Sequence, residues 1–411
     1  MNTFQDSNSA QSRPSDDVAF VPTRAAGLAR LEAFLPLAAK HYATRRNYAL
    51  GPSDYSTVSA LSPWIRHRLI SEEEVLEYTI ARHGPEAAMA FIQEVFWRSY
   101  FKGWLEQHPS VWKGYQEELQ HARDALDQNI HRRTDYQSAV RGQTGIACFD
   151  HWCHELKLTG YLHNHIRMWF ASIWIFTLRL PWHLGADFFM RNLIDGDPAS
   201  NTISWRWVAG LHTKGKHYLA RPDNIVKFTQ GMFNPAGQLA RDAEALVEDC
   251  DHPFVPLNVT PTSLPSDSVH VVTAEDCTPE QVLSVTNAGT IGLRCLTTEH
   301  QSALVQSFKQ GAVRDALMRQ NKPYDMVETD TWADAILEAS ETAGTSHVAT
   351  AFTTVGPIAS KLAAARGPLS KEGVTLTLVP RRYDLVTWPH ATKGFFKLKK
   401  KIPQILADQG L

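Results

Sequence analysis

Two architectures follow one another in this chain: an all-α domain, then a smaller α/β domain built as a doubly wound parallel sheet. Three observations predict them. From 25 to 246 the apolar residues recur at helical spacing. At 251–267 the text changes to DHPFVPLNVTPTSLPSD, where four prolines among Ser and Thr mark an extended linker. Beyond 268 short apolar runs alternate with amphipathic stretches, the pattern of strands buried on both faces and joined by crossover helices. The expected division is therefore a disordered tail at 1–24, a helical domain at 25–250, a linker at 251–267 and an α/β domain at 268–411.

The elements can be justified in order. Leu28, Leu31, Phe34 and Leu35 share one helical face, as do Val75, Tyr78 and Thr79. Ser62-Pro63 reads as an N-cap followed by a first-turn proline, and Ser71 with Glu74 as a capping box. A helix is expected over 85–105, with Phe91, Glu94, Arg98 and Phe101 on one side and Trp97 beside them. Gly142 to Gly145 interrupts the chain before a helix at 146–158, which stops at Thr159-Gly160. The run 168–184 is apolar, but it contains Arg179 and Pro181 and is too short to span a bilayer. It predicts a buried core helix. In the second domain strands are expected at 269–273, 291–296, 324–328, 347–352 and 374–379. Helices are expected at 281–286, 300–320, 333–339 and 356–366. No GxGxxG or P-loop opens these helices, so there is no dinucleotide fingerprint.

Composition narrows the classes. At 411 residues the chain is long enough for two or three cored domains. A net charge of −2 excludes a polycation, so a nucleic-acid surface has to be local. Five irregularly spaced cysteines give no disulfide framework and indicate a reducing, cytoplasmic setting. The first 17 residues lack the apolar core of a signal peptide. The cluster HWCH at 151–154 is read as the polar face of a helix, and no metal site is expected.

The chemistry concentrates at 161–207. Asp195-Gly196-Asp197 follows an aromatic helix, and Arg167 is the cation at hand. The plain reading is a structural salt bridge at a helix end. The other is a pair of carboxylates that accept hydrogen bonds from a ribityl chain or an adenine. Trp182, Trp205 and Trp207 are read first as core packing.

These residues resemble a known family. HNHIRM at 163–168 and LIDGDPASNTISWRW at 193–207 are similar to the FAD-binding domain of photolyases and cryptochromes. So are Tyr42 with Arg46-Asn47, SALSP at 59–63 and EVFWR at 94–98, in the same order, over about 28–238. The resemblance implies an all-α FAD-binding domain of photolyase type. It places Tyr42, Ser59, Leu61 and Ser62 at the phosphates and ribityl chain, and Phe91 and Arg98 against the cofactor. Asn164, Arg167, Asp195 and Asp197 would surround the flavin and adenine, with Asn201 facing the reactive central-ring nitrogen of the flavin. A flipped lesion would meet Glu94, Trp97, Asn164, Met168 and Trp207. Catalysis would rest on Glu94 and Asn201, with Trp205 and Trp182 as the proximal and middle members of an electron relay.

The sequence also departs from the pattern. Ala60 and His165 stand where arginines are common, and His163 and His165 flank the matching positions of the 163–168 helix. The distal relay position falls near Asn129, for which Tyr136 or Trp152 could substitute. The segment 214–235 is longer and more polar than usual. The α/β domain, whose end at 345–403 resembles the later part of a family antenna domain, follows the helical domain instead of preceding it. A second chromophore is not specified. Lys397, Lys399, Lys400 and Lys401 could touch phosphate, although a solvated terminal helix is the preferred reading. The function implied is FAD-dependent, light-driven repair of cyclobutane pyrimidine dimers in damaged DNA, away from membranes. The alternatives are a cryptochrome-like photoreceptor acting on a protein partner, and an interaction protein without cofactor.

Overall fold

The computed structural model describes residues 20–284, 287–295, 301–320 and 324–411. Its first half is helical and its second half is a five-stranded sheet flanked by helices. Phe20 to Thr23, expected in the tail, are packed. Phe20 lies against Tyr55, Trp64 and Tyr161, the carbonyl of Val21 accepts from the Trp64 indole at 2.8 Å, and Thr23 caps the first helix, Arg24–Phe34.

Local chemistry fixes several helix ends. The capping box predicted at Ser71 and Glu74 forms and starts Glu72–His83. Gly160 ends Ala147–Thr159 with φ 69°, a left-handed conformation that costs glycine little. Ser62 differs from expectation. It is the first residue of the short helix Ser62–Arg66, and its hydroxyl bonds to Asp195 instead of capping. The run 168–184 also differs. It is not one helix: Asn164–Ser172 passes into a π-helical turn over Ile173–Thr177, and a new helix, Trp182–Asn192, begins after Pro181. No helix among the described residues is long and apolar enough to cross a membrane. Helical spacing in the sequence continues to 246, but the last helix of this half is Pro222–Phe228. Gly231, Pro235 and Gly237 fall in the irregular stretch that follows it.

The sheet comprises β1 (Ser268–Val272), β2 (Asn287–Arg294), β3 (Tyr324–Glu328), β4 (His347–Ala351) and β5 (Thr375–Val379). All pairings are parallel and the order is β3-β2-β1-β4-β5, the doubly wound arrangement. Every residue of β1 is buried, as the central strand requires. β2 begins four residues before the predicted start because Asn287 and Gly289, which carry no apolar signal, pair with β1. The helix predicted at 281–286 is only a 3-10 turn, Pro279–Gln281; 285 and 286 lie outside the described residues, as do Leu296 and His300.

The two halves meet through buried ion pairs. After Ser62–Arg66 the chain runs Arg66-His67-Arg68 into the loop that follows β1. Both residues of the Arg66–Glu275 pair are buried, with Nη1 to Oε2 at 2.8 Å and Nη2 to Oε1 at 2.6 Å. Arg68 reaches Asp384 at 2.7 Å and Glu72 at 3.2 Å. Arg381 holds Asp276 with two bonds of 2.7 Å. Lys102 lies 3.5 Å from Asp197 and 3.8 Å from Glu275.

Candidate functional site

A cavity of about 460 Å³ opens between three helices and the acidic loop. Helical spacing explains its walls. Pro85–Glu106 contributes Glu94, Trp97, Arg98 and Phe101, Asn164–Ser172 contributes Asn164, Arg167 and Met168, and Pro198–Ala209 contributes Asn201, Ser204, Trp205 and Val208. Each set repeats at three and four residues and so lies on one helix face. Asp195, Gly196, Asp197 and Trp207 complete the wall, with Phe396 from the far end of the chain.

The acidic loop is held by charge. Asp195 accepts from Arg167 at 2.8 Å and from the Ser62 hydroxyl. Burial opposes the Arg167 charge, but Asp195 more than offsets this and raises its pKa. Asp197 caps the helix Pro198–Ala209 by accepting from the Ser200 amide at 2.8 Å. Burial alone would raise its pKa; the cations of Lys102, Arg98 and Arg66 outweigh it and hold the carboxyl far below the usual carboxylate range. Burial raises Glu94, partly offset by Arg46 at 3.4 Å.

Several buried polar atoms in this wall have no partner within the protein: Asp195 Oδ1 and the Trp205 indole nitrogen are two. The Asn201 amide donates to the Ala186 carbonyl at 2.8 Å and has its oxygen left over. Unpaired groups of this kind cost on the order of 1–3 kcal/mol each. The wall therefore suits a ligand bearing both hydroxyl donors and acceptor atoms.

The structure does not bring every predicted residue to this wall. Tyr42 and Phe91 pack on each other and on Phe34, with ring centroids 5.0–5.8 Å apart. Leu61 is core. Ser59 turns back on Leu61, where Ala60 takes a left-handed φ of 51°. Ser62 reaches the site only through Asp195. His163 caps its helix by accepting from the His165 amide, and His165 stacks on Trp169. Burial lowers both imidazoles, His163 to about 3. Trp97 does line the cavity, but one of its faces is covered by Phe395, stacked with centroids 3.7 Å apart.

The tryptophan arrangement also departs from expectation. Trp182 lies against Tyr115 and His183. Two rings meet Trp205 edge-to-face, Phe189 at 5.2 Å and Trp174 at 6.2 Å, and of these Trp174 is the tryptophan. Trp174 and Trp205 approach because Gly185 leaves room: a Cβ there would fall 2.3 Å from Trp205 and 2.9 Å from Trp174. Tyr136, half-buried, is 6.1 Å beyond Trp174.

Sequence reasoning missed Lys102, Trp174 and Phe396. Lys102 had a legible signal, since it stands four residues after Arg98 on the same helix. Phe396 had none, because it comes from the other domain.

A family profile described as the FAD binding domain of DNA photolyase matches residues 91–243. The deoxyribodipyrimidine photo-lyase of Salmonella typhimurium is 32% identical over 230 residues, 54% of this chain and 44% of that protein. The cryptochrome DASH of Synechocystis is 31% identical over 233 residues, 54% of this chain and 45% of that protein. A class III photolyase structure from Agrobacterium tumefaciens aligns at 27% identity with a TM-score of 0.42, covering 51% of this chain and 43% of that one. The chain spans less than half the length of these relatives. Its helical half is similar to the FAD-binding domain of the photolyase/cryptochrome family.

Proposed function

We propose that the cavity holds FAD and that the protein repairs cyclobutane pyrimidine dimers in DNA in a light-driven reaction. One observation carries this reading: Arg98, Asn164, Arg167, Asp195, Asp197 and Asn201 of the flavin matches, and Glu94, Trp97, Met168 and Trp207 of the lesion matches, line a single cavity whose buried Asp195 and Trp205 atoms are unpartnered. When bound, FAD would supply light absorption and one-electron chemistry. Arg167, Asp195, Asp197 and Asn201 would hold it, with Arg98 and Asn164 alongside. The Arg167 charge beside the flavin favours its anionic, reduced form. Asn201, whose amide nitrogen is held by the Ala186 carbonyl, would offer its oxygen to the ring. Glu94 and Met168, with Trp207, would receive the flipped base, Glu94 through hydrogen bonds to its edge.

The test is blue-light repair of dimer-containing DNA by chemically reduced protein. Glu94→Ala is expected to lower the repair rate about ten- to a hundredfold, the cost of one lost hydrogen bond near charge. Repair at the wild-type rate would show that Glu94 does not touch the lesion.

A photoreceptor of cryptochrome type, read out by a protein partner, is favoured by one feature: Phe395 covers a face of Trp97 that a lesion would need. Bound flavin with no repair and no preference for damaged DNA would support that reading.

Electrons from outside would enter through Trp205, and the tryptophan packed against it is Trp174. Trp174→Phe is expected to lose most of the light-driven reduction of bound flavin while keeping repair by chemically reduced protein. Trp182→Phe should retain both. Loss of photoreduction in Trp182→Phe alone would return the relay to Trp182.

A further inference from the structure

Glu248, Cys250 and His252 occupy alternate positions where the helical half turns into the Pro-rich segment. One donor atom of each lies within 4.8 Å of the others. Cys250 Sγ is 3.6 Å from His252 Nε2, and that nitrogen is 3.5 Å from a carboxylate oxygen of Glu248. In a tetrahedral zinc centre, with Zn–S about 2.3 Å and Zn–N and Zn–O about 2.1 Å, the S···N edge is about 3.6 Å and the N···O edge about 3.4 Å. The two measured separations are close to the edges of such a tetrahedron. We infer that Glu248, Cys250 and His252 bind a divalent transition-metal ion, with zinc the ion best suited to one sulfur, one nitrogen and one oxygen donor.

The surroundings are those of a ligand set. His252 Nδ1 is 3.0 Å from the Ser110 hydroxyl. With Nδ1–H donating there, the Nε2 lone pair is left for the ion, the usual role of an outer partner. Glu248 is fixed by the two guanidinium nitrogens of Arg206. The Arg206 charge disfavours a cation nearby, and the thiolate and carboxylate together offset it. The three residues edge a cavity of about 670 Å³ that also includes His183, so the fourth position is open to His183 or water.

Bound there, the ion would tie the start of the interdomain segment to two helices: Ser110–Gln128 through Ser110, and Pro198–Ala209 through Arg206. It would anchor the linker of this domain order and takes no part in the flavin chemistry.

The test is zinc titration of the full chain, stripped with a chelator, against a chromophoric chelator, with elemental analysis. We expect one zinc per chain, weakened more than about a hundredfold in Cys250→Ser and His252→Gln and about tenfold in Ser110→Ala. Cobalt in place of zinc should give a thiolate charge-transfer band that is absent from Cys250→Ser. Flavin content and circular dichroism should be unchanged in these variants, which separates this test from folding and from the flavin reading. Binding below one equivalent, or equal binding by Cys250→Ser, would overturn the proposal.

Discussion

Glu275→Ala is expected to lower folding stability by about 3–5 kcal/mol, because it leaves Arg66 buried and charged without its main partner. Arg66 is 3% exposed and Glu275 7%, so water cannot replace the lost carboxylate. The effect should be read by urea unfolding at neutral pH, and a change below 1 kcal/mol would mean that water or another acid already serves Arg66. The same network predicts acid sensitivity. Burial would raise Glu275 and Glu72, but Arg66 and Lys102 for the first, and Arg68 and Arg98 for the second, bring each down to about 2. The unfolded chain therefore takes up these protons first. Their stabilisation is complete above the unfolded glutamate value of about 4.3 and is lost as pH falls toward about 2. In Glu275→Gln the loss of stability over that window should be shallower than in the wild type.

Arg167→Leu is expected to weaken flavin binding about a hundredfold, or about 3 kcal/mol. Asp195 would keep only the Ser62 hydroxyl as a side-chain partner, and the wall would lose the cation that the proposed reduced flavin needs. Arg167→Lys keeps the charge and loses the fork that bonds both Asp195 and the Leu162 carbonyl, so it should fall between the two. Flavin fluorescence during dialysis reads all three proteins. Equal retention by Arg167→Leu and the wild type would remove Arg167 from the site.

Much of this was legible in the sequence, for identifiable reasons. The wall residues repeat at three and four along three helices, so reading each helix correctly was enough to group Glu94 with Arg98, Asn164 with Met168 and Asn201 with Trp205. The Arg167–Asp195 pair was legible because a buried carboxylate needs a cation and the helix before the apolar run offers Arg167. The doubly wound sheet followed from short apolar runs between helices. What failed depended on distant packing. Ser62 looked like a cap, but Asp195, more than a hundred residues later, takes its hydroxyl. Nor does any local pattern announce that the π-helical turn at Ile173–Thr177 and the space at Gly185 bring Trp174 against Trp205, a contact additional to the family position of Trp182. Phe395 and Phe396 reach Trp97 and the cavity only because the α/β half folds back on the helical half. That contact has no local pattern to announce it.

The domain contact and the cavity share residues. Arg66, Arg98 and Lys102 approach Asp197 at 3.5–3.7 Å, and Arg66 and Lys102 also approach Glu275. Loosening the contact should therefore also disturb the loop that lines the cavity, which couples the first prediction to the second.

The most direct test of the central claim is the flavin stoichiometry of the purified full chain, from its visible absorbance after incubation with excess FAD and removal of the unbound fraction. One FAD per chain is expected, reduced sharply in Arg167→Leu. A folded wild-type protein that retains no flavin would contradict it.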